Sequence, residues 1–262
     1  MQSLNPIYLV GAGNLSWHLG PVLRRAGYTV TVVSRSPPAD WNLPCIGYDQ
    51  LGGDAGATLW GGTVVLGVPD DAIPTVSRRL SELLPPDTPV VHTSGATPTD
   101  RIDAYFTHRG ALWPIRSLRA REPVADWAEL PLAYHATPPP LREALRQLAG
   151  ELSNYAYALD DQQRAQLHLA AVFSNNFVTW LYQIAYELCR ERGIPFGALL
   201  PIIRNTALAQ DDQPPARRQT GAAARGDHAT QLRHLALLAD HPKYAEVYRR
   251  LSALIAAGTG GG

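Results

Sequence analysis

The apolar run Ile7-Tyr8-Leu9-Val10 leads straight into Gly11-Ala12-Gly13-Asn14-Leu15-Ser16, and this junction constrains the fold more than any other stretch of the chain. The run reads as a strand, and the glycines at its end as the turn into a helix. In a dinucleotide-binding turn the first glycine permits the tight bend and the second lets the backbone approach a pyrophosphate. The phosphate charge then rests on the N–H groups that open the following helix. Gly11, Ala12, Gly13, Asn14 and Leu15 are the residues assigned to that contact. The third position of the pattern usually holds glycine or alanine, for close helix–strand packing, and holds Ser16 here. A helical stretch over 17–26 ends at Gly27 before a second strand over 28–33. A glycine turn with a structural role only is the plain alternative.

The end of the second strand selects the cofactor. An NAD site places Asp or Glu about 20 residues beyond the glycines, to accept from the ribose 2′-hydroxyl. This chain has Ser34-Arg35-Ser36 there. A carboxylate would repel a 2′-phosphate, whereas a guanidinium between two hydroxyls receives one through charge-assisted hydrogen bonds. NADP(H) is therefore expected, with Arg35 as an ordinary solvated arginine the competing reading.

Composition sets outer limits. The chain has 262 residues, 45% of them hydrophobic, enough for one large core or two modest ones. Acidic and basic residues balance at 23 each, which gives no field to steer nucleic acid or an anionic membrane. No apolar stretch approaches the roughly 18 residues of a membrane span. The start of the chain lacks a basic segment followed by an apolar signal core, so a cytoplasmic protein is expected. The two cysteines, Cys45 and Cys189, lie far apart without metal-ligand spacing, and no metal is expected.

Strands and helices alternate through the first part of the chain. Strands are expected over 63–68, 89–93, 110–113 and 132–135, and Pro69-Asp70-Asp71 reads as the start and cap of a helix running to Leu84. This cadence predicts a doubly wound, mostly parallel sheet. Ligands of such sheets bind beyond the carboxyl ends of the strands. That rule selects Gly67, Val68 and Pro69, then Ser94 and Gly95, as cofactor contacts, and Arg116 as a clamp for a substrate carboxylate; turn chemistry and solvation are the alternatives. From Asp160 the pattern is helical only. A very long helix is expected over 162–192, then helices over 195–208, 230–238 and 244–255, with a flexible glycine tail over 258–262. The expected domains are 1–159 and 160–257.

On the long helix, His168 and Asn175 lie almost two full turns apart and share a face, with Asn176 one step further round. A histidine that donates a proton beside an amide that orients a carbonyl suits reduction of C=O by a nicotinamide hydride, because negative charge develops on oxygen as hydride arrives. Packing and local hydrogen bonding account for such residues equally well.

The runs His168-Leu169-Ala170-Ala171-Val172-Phe173-Ser174-Asn175-Asn176-Phe177, Gly193-Ile194-Pro195-Phe196 and Gln219-Thr220-Gly221-Ala222-Ala223-Ala224-Arg225-Gly226-Asp227, with Gly11-Ala12-Gly13-Asn14 and His92-Thr93-Ser94-Gly95-Ala96 ahead of them, carry a resemblance. The chain resembles the Rossmann-like oxidoreductases whose C-terminal half is domain of unknown function 2520. These are similar in plan to ketopantoate reductases, pyrroline-carboxylate reductases and deazaflavin-dependent NADP oxidoreductases. The resemblance implies NADP(H), a small carbonyl substrate and a catalytic asparagine at Asn176 rather than Asn175. The wider plan uses a helix lysine as proton donor, and the only lysine here is Lys243, so His168 or a water must take that part.

The polar 219–227 segment cannot build a core and must be solvated or used. Arg225 is expected to clamp a substrate carboxylate, Thr220 to hydrogen-bond it, and Asp227 to orient Arg225 or cap the next helix. The resulting expectation is an α/β Rossmann-like domain followed by an all-helical domain, a homodimer formed through the latter, and NADPH-dependent reduction of a small 2-oxo acid, which the resemblance implies is of the ketopantoate kind. A non-catalytic NADP(H)-binding sensor and a cyclic imine reductase are the alternatives.

Overall fold

A computed structural model describes residues 4–36, 41–51 and 62–259. It divides into two compact units, 1–175 and 176–262. The strands of the first unit are β1 (Ile7–Val10), β2 (Val30–Val33), β3 (Cys45–Ile46), β4 (Thr63–Leu66), β5 (Val90–His92), β6 (Arg109–Pro114), β7 (Leu132–Ala136) and β8 (Ala156–Ala158). They form one sheet in the order β3-β2-β1-β4-β5-β6-β7-β8. Every pairing is parallel except β6 with β7. Between β1 and β4 the order reverses, because the chain winds first to one side of β1 and then returns to its other side.

The first strand, β1, is apolar and buried at every position because both faces of the sheet are covered. On one face Ile7 and Leu9 pack with Leu19 and Leu23 of α1 (Asn14–Arg25) and with Leu141, Leu145 and Leu148 of α3 (Pro139–Leu152). On the other, Tyr8 and Val10 pack with Ile73 and Leu80 of α2 (Ile73–Ser81) and with Phe106. Truncating a fully buried residue of this kind, such as Leu9 or Leu66, costs about 2–5 kcal/mol. Gly27, at φ +92°, ends α1 in the left-handed conformation that other residues avoid.

The α/β expectation holds, with differences in detail. The edge strands β3 and β8 are too short, at two and three residues, to leave a periodic signal. Asp70 and Asp71 do not cap α2; they form a 3₁₀ turn, Asp70–Ala72, and α2 begins without a side-chain cap. The long helix is α4 (Asp161–Ala171), a π-helical turn (Val172–Phe177) and α5 (Val178–Glu191). A capping box opens α4: Gln163 N–H donates to Asp160 and the Gln163 side chain accepts from Asp160 N–H. Helices first appear alone near Asp160, as expected, but by packing α4 belongs to the sheet unit, since the fully buried Arg164 bonds to the sheet's loops.

The second unit continues with α6 (Leu200–Leu208), α7 (His228–Leu237) and α8 (Pro242–Thr259). Within it Tyr244 donates to Glu187, and His241 donates to Glu191 at 2.9 Å. Gly258 and Thr259, expected in a flexible tail, are the last residues of α8, and 260–262 lie outside the described residues. Of the described residues in this unit only Leu238 and Ala245 are buried. Leu181 is exposed, and Ile184 and Leu188 are half-buried.

At Gly11 the backbone has φ +106°, and a Cβ would lie 2.6 Å from the Gly67 carbonyl oxygen. Gly11→Ala is therefore expected to lower stability by about 1–3 kcal/mol in urea unfolding. An unchanged midpoint would show that the two turns part without cost.

Candidate active site

The carboxyl ends of β1 and β4 meet where strand order reverses, which is where open α/β sheets bind ligands. Gly11 N–H donates to Val33 O at 2.9 Å and Gly67 N–H to Val10 O at 2.8 Å, fixing both turns to the sheet. The same closeness explains Ser16. It is fully buried, and its Oγ lies 2.7 Å from where a Gly67 Cβ would stand. Close helix–strand approach is thus obtained by the absent side chain of Gly67 rather than by glycine or alanine at the third position. Gly13 is the N-cap of α1 with no side-chain cap, and the first turn carries no acidic residue. Its N–H groups fit an anion. Ala12 and Leu15 pack against the core, Val68 packs over Gly11, and Pro69 opens the 3₁₀ turn. The side chain of Asn14 is used locally, its Oδ1 accepting from Ala120 N–H at 3.1 Å.

At the end of β2, Ser34 N–H donates to Ile46 O at 3.0 Å and Ser36 N–H to Ser34 Oγ at 3.2 Å, a hydroxyl turn that leaves Arg35 exposed at its apex. Arg79 of α2 stacks over the Tyr48 ring, 4.7 Å from its centroid. Burial pushes the Tyr48 hydroxyl above its usual range, and the positive charges of Arg79 and Arg35 partly offset this. The residues present fit a dinucleotide with a 2′-phosphate: glycine turns that a Cβ would fill, an uncapped helix start, and cations at the second strand's end.

Beyond β5 the loop is held by a buried polar knot. The guanidinium of Arg164 donates to Ser94 O at 3.1 Å and to Thr97 O, and pairs with Asp161 at 2.8 Å. Asp161 also accepts from Thr99 N–H at 2.9 Å and Thr99 Oγ1 at 2.8 Å. Burial opposes ionisation of Asp161, but these hydrogen bonds outweigh it and hold its carboxyl below the usual range. The hydroxyl of Ser94, expected to touch cofactor, is committed to the turn: it donates to Asp70 at 2.7 Å and accepts from Ala96 and Thr97 N–H at 3.1 and 2.9 Å. Arg164 was not singled out from sequence. The spacing Asp160-Asp161 to Arg164, one helical turn, is the signal that marks it.

One turn beyond Arg164, the half-buried His168 meets the Trp113 ring edge-on, with centroids 5.5 Å apart. A Cβ at Gly95 would lie 2.6 Å from Trp113 and 2.9 Å from His168 Nδ1, so the bare backbone of Gly95 completes a three-residue cluster at the ends of β5 and β6. The π-helical turn then changes the register. A wide turn absorbs about one extra residue, so the α-helical count that put Asn175 on the face of His168 does not carry through Val172–Phe177. The Asn175 Nδ2 donates to Ser117 Oγ at 2.9 Å, in the loop after β6 where Arg116 is exposed.

In the second unit, Gly221 at φ +107° and Gly226 at φ +67° shape the turn that holds Arg225, which is exposed, as is Thr220. Asp227 takes the capping alternative, accepting from Thr230 N–H at 3.0 Å at the start of α7; that bond holds its carboxyl below the usual range. Among the described residues no helix is long and apolar enough to cross a membrane, and no cluster of three or more His, Cys, Asp or Glu can hold a metal.

This is the plan of a Rossmann-like dinucleotide-binding protein. Residues 130–255 match the family model of domain of unknown function 2520, which begins just before β7, inside the sheet. The chain is 31% identical to a Bacteroides fragilis protein assigned as an NADP oxidoreductase, covering 97% of this chain and 98% of that one, with TM-score 0.85. It therefore belongs to the family of Rossmann-like oxidoreductases that carry this domain. An imine reductase from Myxococcus stipitatus in complex with NADP+ shares the fold at 17% identity, with 98% and 95% coverage and TM-score 0.67. Pyrroline carboxylate reductase from Plasmodium falciparum with NADP bound does so at 9% identity, with 96% and 99% coverage and TM-score 0.58. Curated protein sequences offer no match to the chain.

His92 is fully buried and accepts from Ser94 N–H at 3.2 Å through Nδ1, so it is neutral in the fold. Burial, then the Arg164 charge, push its pKa down to about 4. The unfolded imidazole titrates near 6.5, so between those values the unfolded chain binds the extra proton. The stability His92 contributes is complete above pH ~6.5 and declines by about 1.4 kcal/mol per pH unit as pH falls towards 4. Urea titrations at pH 7 and 5 should show that decline, and His92→Asn should flatten it; equal slopes would mean that His92 is charged in the fold.

Proposed function

We propose that the chain reduces a small carbonyl compound with NADPH, and that the substrate is a 2-oxo acid of the ketopantoate kind. The observation that carries this reading is a common sheet edge. The Gly11–Gly67 cradle and uncapped α1 start lie on it with the cluster of Gly95, Trp113 and His168. The 31% identical Bacteroides fragilis protein, assigned as an NADP oxidoreductase, supports the choice of cofactor. Free Cys45 and Cys189 fit a reducing, cytoplasmic setting.

When bound, the dinucleotide supplies a hydride. The residues of the chain do the rest. Arg35, with the Ser34 and Ser36 hydroxyls, binds the 2′-phosphate. Backbone at Gly11, Ala12 and Gly13 receives the pyrophosphate, and Gly67, Val68, Pro69 and Gly95 line the cofactor's path as bare or apolar backbone. His168 donates a proton to the substrate oxygen while the Asn176 amide orients that oxygen. This acts where negative charge develops and so lowers the barrier more than it aids ground-state binding. Arg116 of the first unit and, independently, Arg225 of the second are the candidate clamps for a substrate carboxylate. A sensor that binds NADPH without turnover and a cyclic imine reductase remain as rivals, separated by NADPH oxidation across panels of 2-oxo acids and cyclic imines.

The helical unit supports a homodimer. Trp180 is 60% exposed, Ile202 63%, Leu237 70% and Leu254 69%, and this amount of uncovered apolar surface supports association. Sedimentation should give a dimer at micromolar concentration; a concentration-independent monomer would contradict this.

Arg35→Ala should weaken NADPH binding by about 1.5–3 kcal/mol, the scale of a hydrogen bond to a charged group, and leave NADH nearly unchanged. Equal loss for both cofactors would remove Arg35 from the 2′-phosphate. His168→Ala should leave NADPH affinity intact and lower turnover about 10²–10⁴-fold, whereas Arg225→Ala should chiefly raise KM for a carboxylate substrate. Full turnover by His168→Ala would give the proton transfer to water.

A further inference from the structure

Three of the chain's tryptophans, Trp17, Trp41 and Trp127, line one crevice of about 640 Å³ on the outer side of α1, together with Arg24, Arg25 and Val124. Its size falls within the ~300–1,000 Å³ of small-molecule sites. Arg24 and Arg25 are the charged residues among the described lining, whereas Asp126 and Glu151 line the neighbouring pocket that shares Arg25. Arg24 spends one N–H on Asn42 O at 2.8 Å, which pins the Trp41 wall to α1, and keeps further donors. Indole faces and guanidinium forks together select a flat apolar body with an acidic group.

The crevice also touches elements that carry the candidate site. Its far wall, Val124 and Trp127, continues the loop that follows β6. That loop bonds α1 twice, Ala120 N–H donating to Asn14 Oδ1 at 3.1 Å and Arg119 O accepting from His18 Nε2 at 2.8 Å. Its Ser117 accepts from Asn175 in the π-helical turn at 2.9 Å. A ligand wedged between α1 and this loop acts on the helix whose start forms the glycine cradle and on the loop that touches the wide turn, a contiguous physical route.

We propose that this crevice is an effector site for a planar aromatic carboxylate, and that occupancy tightens the 115–127 loop on α1. It needs no covalent step and does not depend on which substrate the enzyme reduces. The test uses the full chain labelled with 5-fluorotryptophan, titrated with 2-naphthoate and with neutral 2-naphthamide and followed by fluorine NMR and amide hydrogen exchange. Naphthoate should move the signals of Trp17, Trp41 and Trp127, assigned by Trp→Phe variants, without moving those of Trp113 and Trp180. It should also slow exchange over 115–127. The double variant Arg24→Gln/Arg25→Gln should lose about tenfold in naphthoate affinity and keep its affinity for naphthamide. Val124→Trp, which fills the crevice, should abolish both. Signals that stay fixed, equal affinity for acid and amide in the parent protein, or unchanged loop exchange under saturation would each overturn the proposal.

Discussion

A guanidinium with no exposed surface is costly to bury, and the sheet unit is organised around the one at Arg164. Its charge is tolerable only where Ser94 O, Thr97 O and the Asp161 carboxylate converge on it. Losing any of these leaves a buried cation underpaired. The pairing fixes the height and rotation of α4 against the loop after β5, and His168, one turn further along, takes its position against Trp113 and Gly95 from that anchor. The buried, neutral His92 beneath the same loop belongs to this arrangement, since a second positive charge there would oppose Arg164.

Around that anchor, most polar side chains of the loops are satisfied by the fold itself. The hydroxyl of Ser94 closes its own turn, Asn14 receives Ala120 and Asn175 reaches Ser117. What is left at the sheet edge is backbone: the tight glycine turns, the uncapped start of α1 and the bare Gly95. Such a surface suits an extended anionic cofactor held by N–H groups and helix dipole, and the exposed Arg35 stands at the end of β2 and His168 beside Trp113 on that same edge.

Much of this was legible in the sequence because the signals are local. An apolar tetrapeptide before Gly11, Ser34-Arg35-Ser36 after the second strand, and the onset of helix at Asp160 each follow from neighbouring residues. The Ser16 departure was harder to judge, since its compensation lies at Gly67, far away in sequence. Helical counting favours Asn175, but that count assumes regular α-helix and is broken by the π-helical turn, which no periodicity announces. The Arg164 anchor is only half legible: the one-turn spacing from Asp161 is a local sign, but its other partners are carbonyls of a distant loop, and backbone acceptors leave no trace in residue identity. The helical unit's uncovered apolar residues were visible as residues, but that they stay uncovered in one chain is a fact of the packing.

Transfer of the hydride itself is the central claim, and isotopic labelling tests it most directly. The protein would be incubated with NADPH deuterated in turn at each face of the nicotinamide C4, with a panel of 2-oxo acids and cyclic imines, and the products weighed by mass spectrometry. Reduction of a 2-oxo acid at C2, with deuterium from one face only recovered in the hydroxy acid, is the predicted result. NADPH that binds tightly yet leaves every product unlabelled would contradict the account and mark the chain as a cofactor-binding sensor.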